Sequence, residues 1–283
     1  MTVLIPNTLD EALAMLSDNP SADLLTGGTD MMVEVNFNHR KPSTVIALRR
    51  LTELQSWSID KEQQRVTIGA GVPYAEMERG PLAETLPCLA EAARTVGSPQ
   101  IRAAGTLGGN LGTCSPAGDG LPVLSALDAT VHLLSPTGER QISFHDFMTG
   151  PKRNVRASDE IITAVSMNIP NGWQGYAKVG VRNAMVISVA SACLVLDHSV
   201  SDTRMVRLAL GSVGPTIIRC RETESWWNSV PSTQQTATAT IDEFGSRAGD
   251  ESRPIDDHRS TADYRRHAIS VLSRRLLTRG TQS

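Results

Sequence analysis

Two glycine-rich segments hold the residue types that could contact a ligand through the backbone of this 283-residue chain. Residues 101–119 combine glycines with threonine, serine, one asparagine and one aspartate, and residues 26–30 read Thr-Gly-Gly-Thr-Asp. Glycine has no Cβ and adopts positive φ, so neighbouring amide N–H groups can converge on an anion, usually a phosphate. The two segments together predict a ligand with two phosphates, or a long ligand held from two sides.

The glycine turn at residues 26–30 is flanked by a predicted strand and a predicted helix, an arrangement typical of phosphate-binding sites. Residues 23–25 are typical of a short buried strand, and residues 31–35 are typical of a helix that follows the glycine turn. A helix N-terminus carries positive potential, which adds to that of the turn. Downstream, Asp119 precedes an apolar helix over residues 120–127 and a strand over residues 130–134.

The common nucleotide motifs are absent or incomplete. No Gly-x-x-x-x-Gly-Lys-Ser/Thr occurs, which excludes a P-loop. The nearest match to Gly-x-Gly-x-x-Gly is residues 69–74, where Tyr74 takes the place of the third glycine and Pro73 interrupts the expected helix start. A Rossmann site is therefore rejected. The alternative for the long glycine segment is a tight irregular connection in a β-rich domain.

Composition and charge narrow the class of protein. The 27 basic and 30 acidic residues give a net charge of −3, so neither a nucleic acid nor a membrane surface is an expected partner. Apolar stretches end well before bilayer length, and residues 1–6 lack the features of a signal peptide. We expect a cytoplasmic protein.

The cysteines and histidines show no metal-ligand spacing. The four cysteines lack Cys-x-x-Cys pairs, which argues against an iron–sulfur cluster or zinc site in this chain. Cys114 lies within the glycine segment, where a packing role is favoured over thiol chemistry. None of the six histidines is paired with a nucleophile, so no catalytic residue and no metal site are assigned.

The chain reads as an α+β protein in three parts. Residues 1–54 predict a small βαβ-like unit, opened by a capping box at Thr8 and Glu11. Residues 55–171 predict a second α+β unit, which starts with a hairpin around residues 61–63. Residues 172–283 predict antiparallel strands plus helices, after a boundary at Asn171 and Gly172.

The last part includes a polar stretch and a basic helix. Residues 221–253 are polar, so part of this stretch is expected to be mobile, although Trp226 and Trp227 favour a local core. A capping box at residues 260–263 predicts a helix that ends near Gly280. One expected buried face consists of Tyr264, Ala268, Val271 and Leu272, and the arginines expected to be solvated or to face another subunit are Arg265, Arg266, Arg274 and Arg275.

The motifs, taken in their order along the chain, resemble those of a known family. The chain is similar to the FAD-binding medium subunit of the molybdenum hydroxylases, the family of xanthine dehydrogenase and the aerobic carbon monoxide dehydrogenase flavoprotein. The motifs occur in family order over nearly the whole chain, at residues 26–31, 68–71, 97–102, 105–110, 117–119, 159–162, 178–180, 253–257 and 264–266. Two positions depart from the usual pattern: Thr26 replaces a common alanine and Ala103 replaces a frequent asparagine.

The resemblance implies a fold and a set of cofactor contacts. The fold would be a two-subdomain FAD-binding fold of the PCMH (vanillyl-alcohol oxidase-like) type, followed by a C-terminal α+β domain of antiparallel sheet plus helices. Residues 26–31 and 106–113 would hold the pyrophosphate and ribityl chain, and Asp119 the adenosine side. Ile162 and Lys178 would lie at the flavin end, where a cation stabilises a reduced ring. The alternative for Lys178 is an ordinary solvated lysine. The cofactor-binding residues implied are Leu25, Thr26, Gly27, Gly28, Thr29, Asp30, Met31, Thr106, Gly109, Asn110, Thr113, Asp119, Ile162 and Lys178.

The resemblance also implies partners and a reaction. A large molybdopterin-binding subunit would hydroxylate the substrate, and a small [2Fe-2S] subunit would pass electrons to FAD on this chain and then to NAD or another acceptor. The assembly would be a dimer of heterotrimers. Purines, other N-heterocycles, aldehydes and carbon monoxide all remain compatible substrates. Two alternatives remain: a self-contained FAD-dependent oxidoreductase of the same fold, and a cofactor-free structural or assembly subunit.

Overall fold

The computed structural model describes residues 1–198 and 205–282 and contains three main sheets in succession along the chain. The predicted α+β class is confirmed, with helices packed on the faces of every sheet. Three buried clusters follow the sheets, and the largest lies beneath the second sheet and extends to strands of the third. This shared core joins the second and third parts of the chain.

The first sheet is parallel, in the order β1-β3-β2. Thr8 caps the first helix, since its hydroxyl accepts a hydrogen bond from the Glu11 amide at 3.2 Å. Leu13 and Leu16 pack that helix onto Ile46 of the sheet. The elements are β1 (Thr2–Leu4), α1 (Leu9–Asp18), β2 (Asp23–Leu25), α2 (Met31–Asn36) and β3 (Thr44–Ala47), followed by short 3-10 turns at Leu48–Arg50 and Thr52–Leu54.

The second sheet is antiparallel, in the order β4-β5-β10-β6-β7, and begins with the predicted hairpin. Its strands are β4 (Trp57–Asp60), β5 (Arg65–Gly69), β6 (Thr130–Ser135), β7 (Gly138–Ser143) and β10 (Ile161–Asn168). Between them lie α3 (Tyr74–Met77), α4 (Gly80–Thr85), α5 (Pro87–Thr95), α6 (Pro99–Ala104), α7 (Leu107–Thr113), α8 (Gly120–Ala126), α9 (Phe144–Phe147), β8 (Met148–Gly150) and β9 (Arg153–Asn154).

The third sheet is also antiparallel, as predicted, in the order β11-β12-β13-β14. Helices cover it, and a T-shaped contact between Trp227 and Phe244, with ring centroids 5.5 Å apart, lies in their core. The elements are β11 (Gln174–Val179), β12 (Ala190–Asp197), β13 (Met205–Gly211), β14 (Ile218–Arg219), α10 (Arg221–Ser229), a 3-10 turn at Ser232–Gln234, α11 (Thr238–Glu251) and α12 (Ala262–Thr281).

The structure of the last part differs locally from what was predicted. The polar stretch over residues 221–253 is mostly helical in α10 and α11, and Trp227 packs against Phe244 in the local core that the tryptophans predicted. The cap of α12 is Thr261, whose hydroxyl accepts from the Tyr264 amide at 3.3 Å. The buried face of α12 runs through Arg265, Ala268 and Leu272, and Tyr264 lies beside that face, about half exposed instead of in the core.

The basic face of α12 is also less solvated than predicted. Arg265 is buried, donates to the carbonyl oxygens of Val189 and Ser212 at 2.9 Å each, and is ion-paired with Asp257 at 2.6 Å. Arg274, by contrast, is exposed and pairs with Asp242 on α11. Arg265 therefore ties α12 to the third sheet.

Candidate functional site

A cleft of about 590 Å³ opens where the turn after β2, helix α7 and the edge of the second sheet meet. This volume is typical of small-molecule and cofactor sites. Every sequence-predicted binding residue except Lys178 lines it: Leu25, Thr26, Gly27, Gly28, Thr29, Asp30, Met31, Thr106, Gly109, Asn110, Thr113, Asp119 and Ile162. Residues from three separate stretches of chain are thus brought to one surface.

The turn of residues 26–30 presents free backbone donors to the cleft. The amide N–H groups of Gly27, Gly28, Thr29 and Asp30 donate no hydrogen bond to any part of the chain that the structure describes. Gly28 has φ of +69°, which turns successive N–H groups toward one side. Four such amides in a row next to the start of α2 are suited to bind an anion.

The second glycine segment behaves differently, because part of it is helical. The Thr106 hydroxyl accepts from the Gly109 amide at 3.0 Å, and the Gly108 amide donates to the Ala70 carbonyl at 3.1 Å. A Cβ on Gly108 would lie 2.5 Å from that carbonyl oxygen. The interpretation of residues 101–119 as an open phosphate loop is therefore wrong for the start of α7, where the glycine serves close packing.

The end of α7 connects the two segments. The Thr113 hydroxyl donates to an Asp30 carboxylate oxygen at 3.2 Å, so both walls of the cleft are joined there. Cys114 ends the helix at a φ of +47° and is fully buried. Burial raises the pKa of its thiol to about 12, which agrees with the packing role predicted for it.

Asn110 is oriented by a buried tyrosine. The Tyr74 hydroxyl donates to Asn110 Oδ1 at 2.9 Å. Burial, with a smaller contribution from the nearby Asp119 charge, raises the pKa of Tyr74, so its hydroxyl stays protonated and remains a donor. The Asn110 amide nitrogen is left as the group that can donate to a ligand.

Asp119 and Lys178 form one buried pair. Lys178 Nζ lies 2.7 Å from Asp119 Oδ2 and 3.1 Å from the Thr95 carbonyl oxygen, and the Tyr176 hydroxyl donates to Asp119 Oδ1 at 2.9 Å. Both side chains are less than a tenth exposed. Burial raises the pKa of Asp119, and the Lys178 charge and hydrogen bond oppose that rise.

This pair corrects two predictions. Asp119 and Lys178 cannot serve opposite ends of an extended ligand, because they are in direct contact. Lys178 is not a solvated lysine either: it stands behind Asp119, which lines the cleft in its place. The register of β11 causes this arrangement, since Tyr176 and Lys178 alternate with Ala177 and so extend from the same face of the strand.

The sequence analysis missed three cations on the cleft wall: Arg40, Lys152 and Arg156. Arg40 pairs with Asp23 at 2.5 Å and with Glu34 at 3.3 Å, and Lys152 also pairs with Glu34. Hydrogen bonds from Lys152 and Arg40 lower the pKa of Glu34. No motif marked these residues, because they come from separate connections that only the fold brings together.

The sequence analysis also missed a loop that closes one side of the cleft. Met185, Val186 and Ile187 line it, and they lie in the connection between β11 and β12. Met185 and Ile187 are also more than half exposed to solvent. The apolar character of residues 185–187 was the available signal.

The residues of the cleft fit a dinucleotide cofactor. The free amides of the turn and the start of α2 suit a pyrophosphate, and a Cβ at Gly112 would meet nothing within 4 Å, so α7 leaves space beside it. Asn110 and Asp119 add a side-chain donor and an acceptor. Among the residues described by the structure, no group of three potential metal ligands occurs and no helix is long and apolar enough to cross a membrane.

This fold and cleft suit a dinucleotide-binding protein, and comparisons with known proteins specify its family. Residues 1–171 match the family described as the FAD binding domain in molybdopterin dehydrogenase, and residues 176–279 match the CO dehydrogenase flavoprotein C-terminal domain. The chain belongs to this family of FAD subunits of molybdenum hydroxylases, and FAD is its cofactor.

Several individual relatives are named as subunits of dehydrogenases or hydroxylases. The nicotinate dehydrogenase FAD-subunit of Eubacterium barkeri is 37% identical over 248 residues, which cover 83% of this chain and 82% of that one. The nicotine 6-hydroxylase medium subunit of Paenarthrobacter nicotinovorans is 32% identical over 96% of this chain and 94% of its own. A carbon monoxide dehydrogenase chain from Hydrogenophaga pseudoflava has the same fold, with a TM-score of 0.90 and 24% identity over 100% of this chain and 97% of that one.

Proposed function

We propose that this chain is the electron-exit subunit of a molybdenum-containing hydroxylase or dehydrogenase complex. It would take electrons from [2Fe-2S] clusters on a small partner subunit and deliver them to NAD or another acceptor, while a large molybdopterin-binding subunit acts on the substrate. Bound FAD supplies the ability to accept single electrons and release a pair. The row of free amides at residues 27–30, in a chain of this family, carries the proposal.

The residues of the cleft support binding instead of proton transfer. Asn110 is fixed as a donor by Tyr74, and Asp119 is fixed as an acceptor by Lys178 and Tyr176. Cys114, which lies at the end of α7, has a thiol that burial keeps protonated. An electron-transfer subunit needs a rigidly held cofactor and no general acid or base of its own, and this set of side chains meets that need.

We further propose that all fourteen predicted residues serve FAD, with Lys178 acting through Asp119. The division into residues 1–54, 55–171 and 172–283 is supported by the three sheets, which fall into those segments. A dimer of heterotrimers is the assembly that we propose, and the cytoplasm stays the predicted compartment. The names of the two relatives above point to N-heterocycles as the substrate class of the complex.

Visible absorption spectra test the proposal. The chain is purified alone and co-expressed with candidate molybdopterin-binding and [2Fe-2S] chains from the same genome, and the released cofactor is identified by chromatography. We expect FAD on the isolated chain, and iron–sulfur absorbance only in a purified complex. Anaerobic substrate should then bleach the flavin in the complex and leave the isolated chain oxidised.

Two results would contradict the proposal. A colourless chain that takes up no FAD in either preparation would remove the flavoprotein assignment. Turnover of an organic substrate by the isolated FAD-loaded chain would instead favour the self-contained oxidoreductase. Nicotinate-type heterocycles and purines are the first substrates to compare in the complex.

A further inference from the structure

Arg156 is a cation of the cleft that forms no ion pair among the residues that the structure describes. Three cations line the cleft, and two of them are ion-paired. Arg40 pairs with Asp23 and Glu34, and Lys152 pairs with Glu34. Arg156 has no carboxylate within ion-pair distance in residues 1–198 and 205–282. Its position therefore differs from that of the other two.

Two carboxylates, those of Glu160 and Asp159, act on Arg156 through their charge without an ion pair, and Glu160 is already engaged. Glu160 is buried and receives two hydrogen bonds from Arg140, one of them at 2.8 Å to Oε2. The same Oε2 also accepts from the Ala157 amide at 2.6 Å. Glu160 thus serves Arg140 and the local backbone, and it interacts with Arg156 only through space.

The guanidinium of Arg156 is nonetheless held in place. Its Nη1 donates to the carbonyl oxygens of Ala157 at 2.9 Å and Glu160 at 2.6 Å. Asn154 accepts from the Arg156 amide at 3.1 Å and donates to the Gly112 carbonyl at 3.1 Å, which fixes this segment against α7. In the part of the chain that the structure describes, Nε and Nη2 make no hydrogen bond, so three N–H donors stay available.

Two neutral carbonyls satisfy hydrogen bonds without cancelling a charge. Partial burial of Arg156 lowers its pKa, because desolvation disfavours the charged form. A cation placed at such cost in a cofactor cleft is compensated when a ligand brings a negative group. An arginine fork with free donors on two nitrogens is suited to paired oxygens, as on a phosphate.

We infer that Arg156 is an anion-binding residue of the cleft, whose guanidinium compensates a negative charge on bound FAD. That charge has two sources on this cofactor: the pyrophosphate, which is present in both redox states, and the reduced ring, which is anionic only after reduction. The inference rests on FAD as the cofactor, and it assigns to this chain a contact that the sequence motifs did not include.

The test compares Arg156→Leu with Arg153→Leu in the full-length chain. Arg153 is exposed on β9, lies outside the cleft and carries the same charge, so it controls for a change of net charge. Dissociation constants are measured by fluorescence titration of FAD, ADP and riboflavin into the apoprotein, and midpoint potentials on the FAD-loaded chain. Circular dichroism and thermal unfolding establish that each variant is folded.

For a pyrophosphate contact, Arg156→Leu should weaken FAD and ADP about 10- to 100-fold and leave riboflavin unchanged, as expected for a charged hydrogen bond. For a contact with the reduced ring, oxidised FAD should bind normally while the midpoint potential falls, because the cation no longer stabilises the reduced state. Arg156→Lys should restore part of either effect, since it keeps the charge and loses the fork.

Other outcomes overturn the inference. If Arg156→Leu and Arg153→Leu match the wild type in affinity and in potential, Arg156 has no ligand charge to compensate. An equal loss of FAD, ADP and riboflavin would indicate a structural defect instead of an anion contact. If the wild-type chain itself binds no FAD, the cofactor assignment fails before this inference is reached.

Discussion

The two glycine segments of the cleft look alike in sequence and act differently in structure. The turn at residues 27–30 has four amides that donate to no acceptor in the described part of the chain, whereas the amides at the start of α7 are bonded to Thr106 and Ala70. The turn offers its backbone to the ligand. Helix α7 offers Asn110 and Thr113, and uses Gly108 to pack against the second sheet.

A glycine near a ligand can therefore serve either of two purposes. Gly28 has a positive φ that orients donors, while a Cβ on Gly108 would collide with the Ala70 backbone. Gly27 combines both purposes: its amide donates to no acceptor among the described residues, and a Cβ on it would collide with the Ala104 backbone at the end of α6. Substitutions at these positions separate backbone binding from packing.

Gly27→Ala and the Lys178→Met change described below should be the two most destabilising substitutions. The new Cβ would lie 1.8 Å from the Ala104 carbonyl oxygen and 2.4 Å from its carbon, so the turn must move away from α6. We expect a loss of about 3 kcal/mol or more in the free energy of unfolding, together with loss of bound FAD. Urea denaturation and the flavin absorbance of the purified variant measure the two effects.

Gly112→Ala is the matched control on α7. Nothing lies within 4 Å of the added Cβ, and the residue sits in a helix. We expect the free energy of unfolding to rise by about 0.5 to 1 kcal/mol, because alanine loses less backbone entropy than glycine. A comparable loss of stability in both variants would contradict the distinction drawn between the two segments.

The ion pair of Asp119 with Lys178 is tested by Lys178→Met. The change leaves Asp119 buried without its ion-pair partner, so we expect a loss of about 3 to 5 kcal/mol in the free energy of unfolding near neutral pH. Arg274→Met removes one partner of an exposed pair with Asp242 and should cost no more than about 1 kcal/mol. Denaturant titration of both variants provides the comparison.

The loss of unfolding free energy in Lys178→Met should depend on pH, and the direction of that dependence follows from the pKa of Asp119. Burial already raises the pKa of Asp119, and loss of Lys178 removes an influence that lowers it. A group whose pKa is raised on folding contributes stability below its unfolded pKa and loses it as the pH rises through the folded pKa. The deficit should therefore be larger at about pH 8 than at about pH 5, and a deficit independent of pH would speak against the pair.

Tyr74→Phe is expected to have a smaller effect. It removes the hydrogen bond to Asn110 Oδ1 and costs about 1 kcal/mol of folding free energy. The freed Asn110 amide can then rotate, so FAD affinity should fall by less than about tenfold. Tyr264→Phe, at an exposed tyrosine on α12, should change neither quantity. Equal behaviour of the two variants would remove the orienting role of Tyr74.

The smallest expected effect concerns the thiol at the end of α7. All four cysteines are free and buried, and the pKa of Cys114 is raised to about 12 by burial. We expect no alkylation of Cys114 by iodoacetamide in the native chain at about pH 8, and full alkylation after denaturation. Mass spectrometry of the peptides measures this, and fast native labelling would mean that the end of α7 opens.

Much of the site was predictable because its motifs are local. The strand, glycine turn and helix at residues 23–36 follow from sequence spacing, and the ordered motifs led to the family and the cofactor. The antiparallel third sheet followed from its apolar runs. The helices over residues 221–251 were missed because their polarity outweighed a sparse buried stripe.

Glycine spacing and helix starts are properties of short segments, so the amino-acid order alone was enough to select the residues that could meet a dinucleotide. How those residues are used depends on the tertiary fold. It joined Asp119 to Lys178, oriented Asn110 through Tyr74 and placed Arg156 on the cleft wall with no ion-pair partner among the described residues. Such contacts join residues that are distant in the chain, and their geometry depends on how the sheets and helices pack.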